Sequence, residues 1–214
     1  TAVACIAIGD QAMQYTPAGV NVSGVVAIGM AALNDAPQLS TNANDSVAIG
    51  TGAGTNSTGL AGEFVVIGAY AGQKMGGTAI THIGFNAGQY ASGSYNTFVG
   101  ADAGKGSATS APFSTGTNNT ALGYQALTAF TTVDDIVAIG HKAAAAITTG
   151  ARNTAIGFQS MLEHTTGANN IAIGHNAMAA TGAGSTSKNS QDNIWFTHNV
   201  KIKSLEHLRH HLNF

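Results

Sequence analysis

The side chains able to do chemistry are few and scattered along the 214 residues. The carboxylates are Asp10, Asp35, Asp45, Glu63, Asp102, Asp134, Asp135, Glu163, Asp192 and Glu206. A glycan hydrolase or lyase needs two or three acids converging on one bond. Only Asp134 and Asp135 are neighbours, and successive residues of an extended chain point to opposite sides. The pair therefore reads as loop solubiliser, and the sequence predicts neither a catalytic residue nor an enzyme. The single cysteine, Cys5, allows no intramolecular disulfide and no cysteine-rich metal knot. His207 and His211 stand four residues apart, one turn of a helix, and are the candidate metal ligands; the competing reading is a pair of solvated histidines. No other cofactor is implied.

A file of rings offers different chemistry. Tyr124, His141, Phe158 and His175 recur at 17-residue intervals, Phe85 stands in the same register earlier, and the amides Gln125, Gln159 and Asn176 follow three of the rings. Side chains repeated at the period of a coil stack along its axis. Two uses are open: a ladder that stabilises a sheet or a chain contact, or a strip that binds glycan or another surface receptor, since aromatic faces beside amides suit sugar rings. Composition favours an uncharged ligand. Charged residues are 8 % and the formal net charge is −2, against about 25 % charged residues in ordinary domains. An electrostatic grip on nucleic acid is excluded, and no apolar run approaches the ~18 residues that would predict membrane insertion.

The elements that must hold these rings are written as a repeat. Two strand-like residues, an aliphatic residue and a glycine recur, the glycines being Gly9, Gly29, Gly50, Gly68, Gly84, Gly100, Gly123, Gly140, Gly157 and Gly174. Their spacings are 20, 21, 18, 16, 16, 23, 17, 17 and 17, and three residues beyond each comes Ala, once Ser160. Numbered from the glycine, positions −3 and −1 share one strand face: Ile6 with Ile8, Val47 with Ile49, Thr154 with Ile156, Ile171 with Ile173. That face is apolar and β-branched and is expected to form the core. Position −2 is Ala in seven units and Val66, His82 or Phe98 in the others, which implies a second layer packed close against the opposite face. Glycine at −7 and Asn at −4, as in Gly150 with Asn153, are turn residues at a fixed offset. One unit of this length cannot fold alone, whereas stacked units pair strand on strand. About ten rungs make a rod on the order of 45 Å long with a thin interior, and a homotrimer is the economical way to bury its apolar flanks.

The strings Ser46-Val-Ala-Ile-Gly50, Asn119-Thr-Ala-Leu-Gly123, Asn153-Thr-Ala-Ile-Gly157 and Asn170-Ile-Ala-Ile-Gly174 resemble the head repeats of YadA-like trimeric autotransporter adhesins. They are equally similar to the Asn-Thr-Ala-Ile-Gly-x-x-Ala-Leu arrays of phage tail fibres, which often precede an intramolecular chaperone domain. The resemblance covers roughly residues 3 to 180 and implies a left-handed parallel β-roll in a homotrimer used for attachment. The coil here is longer than in the adhesin heads and carries insertions, which favours the tail fibre. What this implies is a structural and receptor-binding segment of a virion fibre, whose partners are its sister chains, other fibre or tail proteins, and a surface glycan or outer-membrane receptor of the host. The head of an adhesin on a bacterial cell surface is the alternative, and a glycan-degrading tailspike-type enzyme is the alternative of another class. An ice-binding solenoid would need a flat, regular Thr array, and the Thr residues read as scattered or core-facing.

Insertions at 34–45, 105–117 and 128–135 are a competing binding surface, since loops on a rigid scaffold commonly hold recognition. Residues 1–187 are expected to form the β-roll repeat domain and 188–214 a cap or neck. In the latter, residues 193–203 read as a strand or capping hairpin that brings Trp195 over the last rung. Ser204 could cap a short helix with Leu205, Leu208 and Leu212 on one stripe.

Overall fold

Each repeat supplies three or four β-forming residues stopped by its glycine, and the computed structural model stacks these short runs coil upon coil. It describes residues 2–14, 22–34, 45–57, 63–107, 114–179 and 194–196. In chain order the strands are β1 (Ala2–Val3), β2 (Ile6–Ile8), β3 (Val22–Ser23), β4 (Val26–Ile28), β5 (Val47–Ile49), β6 (Phe64–Ile67), β7 (Ile80–Ile83), β8 (Thr97–Val99), β9 (Thr120–Leu122), β10 (Val137–Ile139), β11 (Thr154–Ile156), β12 (Ile171–Ile173) and β13 (Ile194–Phe196). β2 and β4 to β13 form one eleven-stranded sheet in sequence order, while β1 and β3 make a separate pair. All pairings are parallel, and the register puts equivalent repeat positions side by side: Val99, Leu122, Ile139, Ile156 and Ile173 form one column.

The molecule is thus the expected all-β parallel solenoid, with no helix among the described residues. Its ladder has one strand more than the ten glycine-ended units, because β13 adds a rung that lacks the repeat glycine. The expected cap helix from Ser204 and the boundary at 187/188 lie outside the described residues.

Coil-to-coil bonding continues around the other sides. The N–H of Lys142 donates to the Tyr124 carbonyl at 2.9 Å, that of Ala144 to Ser160 at 2.9 Å, and that of Thr131 to Thr148 at 3.0 Å. A narrow coil must also turn sharply. In one coil Asp135, Gly140, Lys142 and Ala144 take φ of 61°, 128°, 55° and 52°, and the same four positions are left-handed in the other coils. Ordinary side chains occupy three of these corners, at a modest cost each. The fourth accepts only glycine: a Cβ on Gly123 would lie 2.7 Å from the Gly140 carbonyl oxygen of the next coil.

The inside and outside of the strands are reversed from the expectation. The −2 column faces the interior, where Ala27, Ala48, Val66, His82, Phe98, Ala121, Ala138, Ala155 and Ala172 are fully buried. The −3 and −1 columns face outward: Ile8 is 57 % and Leu122 46 % exposed. The close-packed second layer implied by the alanines is the turn of the same coil, whose +3 alanines and +4 residues meet the strand from across the interior. The physical reason is space. A coil this narrow leaves little room opposite the strand, so small residues point in and the β-branched ones point out.

Interior volume is shared between positions −2 and +4. Where −2 is Ala121 or Ala155, position +4 is Leu127 or Met161; where −2 is His82 or Phe98, position +4 is Gly88 or Gly104. A Cβ on Gly104 would sit 2.3 Å from the Phe98 ring, and one on Gly88 2.2 Å from the His82 ring. In the coil of Ala48 and Gly54 both are small, and Leu33 of the preceding coil fills the gap.

Buried asparagines at −4 make a second internal column. The Asn153 amide donates to the carbonyls of Gly150 (2.9 Å) and Gly167 (2.6 Å), and its Oδ1 accepts the N–H of Asn170 at 2.8 Å. Asn96 and Asn119 repeat the pattern, with Asn96 Oδ1 accepting the Asn119 N–H and Asn119 Oδ1 the Ile136 N–H. Each amide satisfies turn carbonyls that the strand ladder cannot reach. The turn residues at fixed offset are therefore two buried polar pairs, Asn96 with Asn119 and Asn153 with Asn170, with Ile136 at the same position between them.

Candidate functional site

The outward columns and the residues just past the glycine form one continuous feature of the surface. Position −1 is aliphatic from Ile8 to Ile173, and position −3 is Ile or Val except for Thr81, Thr97, Thr120 and Thr154. Between residues 120 and 175, positions −3 to +1 carry no Asp, Glu, Lys or Arg. An apolar file along the length of a rod exceeds the scattered exposed hydrophobics usual on a monomer.

The predicted ring file is brought together. Tyr124 stacks on His141 (5.4 Å between ring centres, 27° between planes), His141 on Phe158 (5.0 Å, 10°) and Phe158 on His175 (5.0 Å, 7°). The step equals the spacing of strands in a sheet, and the column is held by the following residues: the N–H groups of Gln125, Lys142, Gln159 and Asn176 bond the +1 carbonyls one coil earlier. Gln125, Gln159 and Asn176 take left-handed conformations beside the stack. The rings cover one another's faces and present their edges, which is the geometry of a stabilising ladder. His141 Nδ1 is buried within it and has no hydrogen-bond partner among the described residues. Phe85 stands apart from this stack and meets Tyr70 edge-on at 6.3 Å and 76°.

Among the described residues the acids do not converge on a reaction centre. Asp134 Oδ1 accepts from the Thr117 N–H (2.7 Å) and hydroxyl (2.9 Å), a structural use, while Asp135 turns away at a left-handed corner. Asp102 pairs with Lys105 at 3.3 Å and accepts from Asn86 at 3.1 Å. No group of three or more His, Cys, Asp or Glu that could hold a metal ion occurs among the described residues. His207, His211 and residues 35–44 and 108–113 of the first two insertions lie outside them, whereas 128–135 is described throughout and buries Phe130 and Val133 in the interior.

Sequence reasoning missed two features. Thr115, Thr132, Thr149 and Thr166 form a regular exposed file at position −8, where scattered or core-facing threonines were expected. Beside it Thr131 and Thr148 spend their hydroxyls on the carbonyls of Thr148 and Thr165, and a shorter file of Thr81, Thr97 and Thr120 stands at −3 of the sheet. The second is His82, placed at the junction of two apolar clusters, Val25 to Ile80 and Ala91 to Met178. Both its ring nitrogens lack partners, its ring stacks on Phe98 at 4.9 Å, and burial lowers its pKa from 6.5 to about 3. The signal for it was available: a titratable residue in a column otherwise made of Ala, Val and Phe.

Comparison of the chain with protein-family models, with curated proteins and with solved structures found no match.

Proposed function

We propose that this chain is a segment of a homotrimeric attachment fibre of the phage tail-fibre type, a left-handed β-roll that serves as a rigid shaft and carries a surface for host receptors. The observation that supports it is the outward aliphatic file. The interior is already filled by −2, +3 and +4 residues of each coil and its neighbours, yet position −1 is Ile, Val or Leu on the outside of every strand of the ladder from β2 to β12. Burial of such a file is worth about 25 cal/mol per Å², and a second and third copy presenting the same file are the partners that match it in length and register. In this reading the rings of Tyr124, His141, Phe158 and His175 stiffen the rod, and their edges with Gln125, Gln159 and Asn176 offer an uncharged strip to host glycans. Trp195, whose register partner is Ala172 of the interior column, closes the last coil. Several copies per fibre and fibres per particle convert weak contacts into avidity. No catalytic step is assigned to the protein.

The test is the assembly state by sedimentation equilibrium, together with adsorption of the protein to a panel of bacterial envelope glycans and analysis of any products. A trimer that Ile139→Lys with Ile156→Lys converts to a folded monomer supports the shaft. A monomeric wild-type chain overturns it, and turnover of the glycan transfers the reading to the tailspike enzymes.

A further inference from the structure

We infer that the surface holds a slot for one neutral pyranose ring between Phe85 and Tyr124, floored by Ala101. This deepens the attachment reading above by assigning the contact with host glycan to a named place. Phe85, Ala101 and Tyr124 occupy position +1 of three successive coils. The Asp102 N–H donates to the Phe85 carbonyl at 2.8 Å and the Gln125 N–H to the Ala101 carbonyl at 3.0 Å, which locks the three into one column. From Tyr124 onward every member of that column carries a ring, and each ring takes one step of 5.0–5.4 Å. At Ala101 the ring is missing and only a methyl group stands in its place.

Two coil steps separate Phe85 from Tyr124, about 10 Å at the spacing of strands. His141 fills the same interval between Tyr124 and Phe158, at 5.4 Å from one and 5.0 Å from the other. The gap over Ala101 therefore has the thickness of one six-membered ring, with Phe85 on one side and Tyr124 on the other. Phe85 and Tyr124 are 52 % and 47 % exposed, and their described ring contacts are with Tyr70 and His141 rather than with each other. A puckered sugar ring suits a gap with about 5 Å on each side, within the 4.5–7 Å range of aromatic stacking.

The rim adds polarity. Asp102 follows Ala101 directly, and its Oδ1 is held by Asn86 Nδ2 at 3.1 Å and Lys105 Nζ at 3.3 Å. Its carboxylate is thus kept at the edge of the slot with its charge already compensated, ready to accept from a hydroxyl. Gln125 stands on the Tyr124 side. Two apolar walls with a few fixed polar groups are the usual build of a site for a neutral ring.

The experiment is saturation-transfer NMR on the full chain, with methyl glycosides of glucose, galactose, mannose and N-acetylglucosamine as probes, run beside the envelope-glycan adsorption assay. At least one glycoside is expected to take up saturation at its ring protons. Ala101→Phe fills the slot and extends the stack to Phe85, so it should weaken binding about tenfold or more without lowering thermal stability. Phe85→Leu, which removes one wall and keeps an apolar side chain, should weaken binding similarly, and Tyr95→Leu, at an exposed ring outside the +1 column, should leave it unchanged. Binding lost in Phe158→Leu but kept in Ala101→Phe assigns the sugar to the ring edges and overturns the slot. Binding of none of the four glycosides also overturns it. If adsorption to envelope glycans then persists, unaffected by Ala101→Phe, the attachment reading stands without the slot. Absence of both kinds of binding overturns the two together.

Discussion

Acid should weaken this fold through His82 by an amount that one substitution removes. The ring is fully buried in the −2 column with both nitrogens unpartnered, and burial lowers its pKa from 6.5 to about 3. The folded state favours the neutral ring, so the stability tied to this group is fully present above pH 6.5 and is lost as pH falls from 6.5 toward about 3. Each pH unit in that window corresponds to about 1.4 kcal/mol. The loss reaches about 3 kcal/mol near pH 4.5 and about 5 kcal/mol over the whole window. His82→Phe copies the arrangement one coil on, where Phe98 lies over Gly104 as His82 lies over Gly88. It also removes two unsatisfied nitrogens, which adds roughly 1–3 kcal/mol at neutral pH. The assay is guanidinium denaturation of wild type and variant at matched protomer concentration from pH 7.5 to 4.5, with hydrogen exchange following the coils around residues 66–98. All carboxylates and the other histidines are common to both proteins and cancel in the difference. The stability gap should therefore widen by about 3 kcal/mol between pH 7.5 and 4.5. A gap that stays constant across that range refutes the reasoning.

Two further substitutions test the interior. Gly104→Leu should destabilise by about 1–3 kcal/mol through overlap with Phe98, and Phe98→Ala by about 3–5 kcal/mol through the cavity it leaves. The double variant rebuilds the Ala121 and Leu127 pairing of the next coil and should recover most of the loss; additive losses in thermal denaturation would show that the two positions do not share volume. Asn153→Leu leaves the carbonyls of Gly150 and Gly167 and the N–H of Asn170 without the partners they have now. It should cost about 3 kcal/mol or more, seen as accelerated amide exchange at Asn170; unchanged exchange there would remove the asparagine pairs from the account.

The repeat was legible because its constraints are local and chemical. Glycine at the strand end, asparagine at −4 and alternation at −3, −2 and −1 gave the coil, its parallel stacking and the ring column before any coordinates. Which strand face lies inside was not legible. A period of two assigns residues to opposite faces but does not say which face is the core, and hydrophobicity pointed the wrong way: Ile and Val suggested burial, while the alanines marked the tightest space. The complementarity of −2 and +4 was present in the letters, but only the depth of the coil shows that six residues apart is straight across the interior. The slot over Ala101 was invisible for a related reason, since the missing ring is noticed only when the rings on either side have a measured spacing.

The sequence by itself determined the architecture, because a short glycine-punctuated repeat can satisfy its backbone only by bonding to copies of itself. The tertiary structure decided which surface is left for other molecules. That depends on how much volume each coil encloses, and volume is a property of the closed coil that no single repeat position carries.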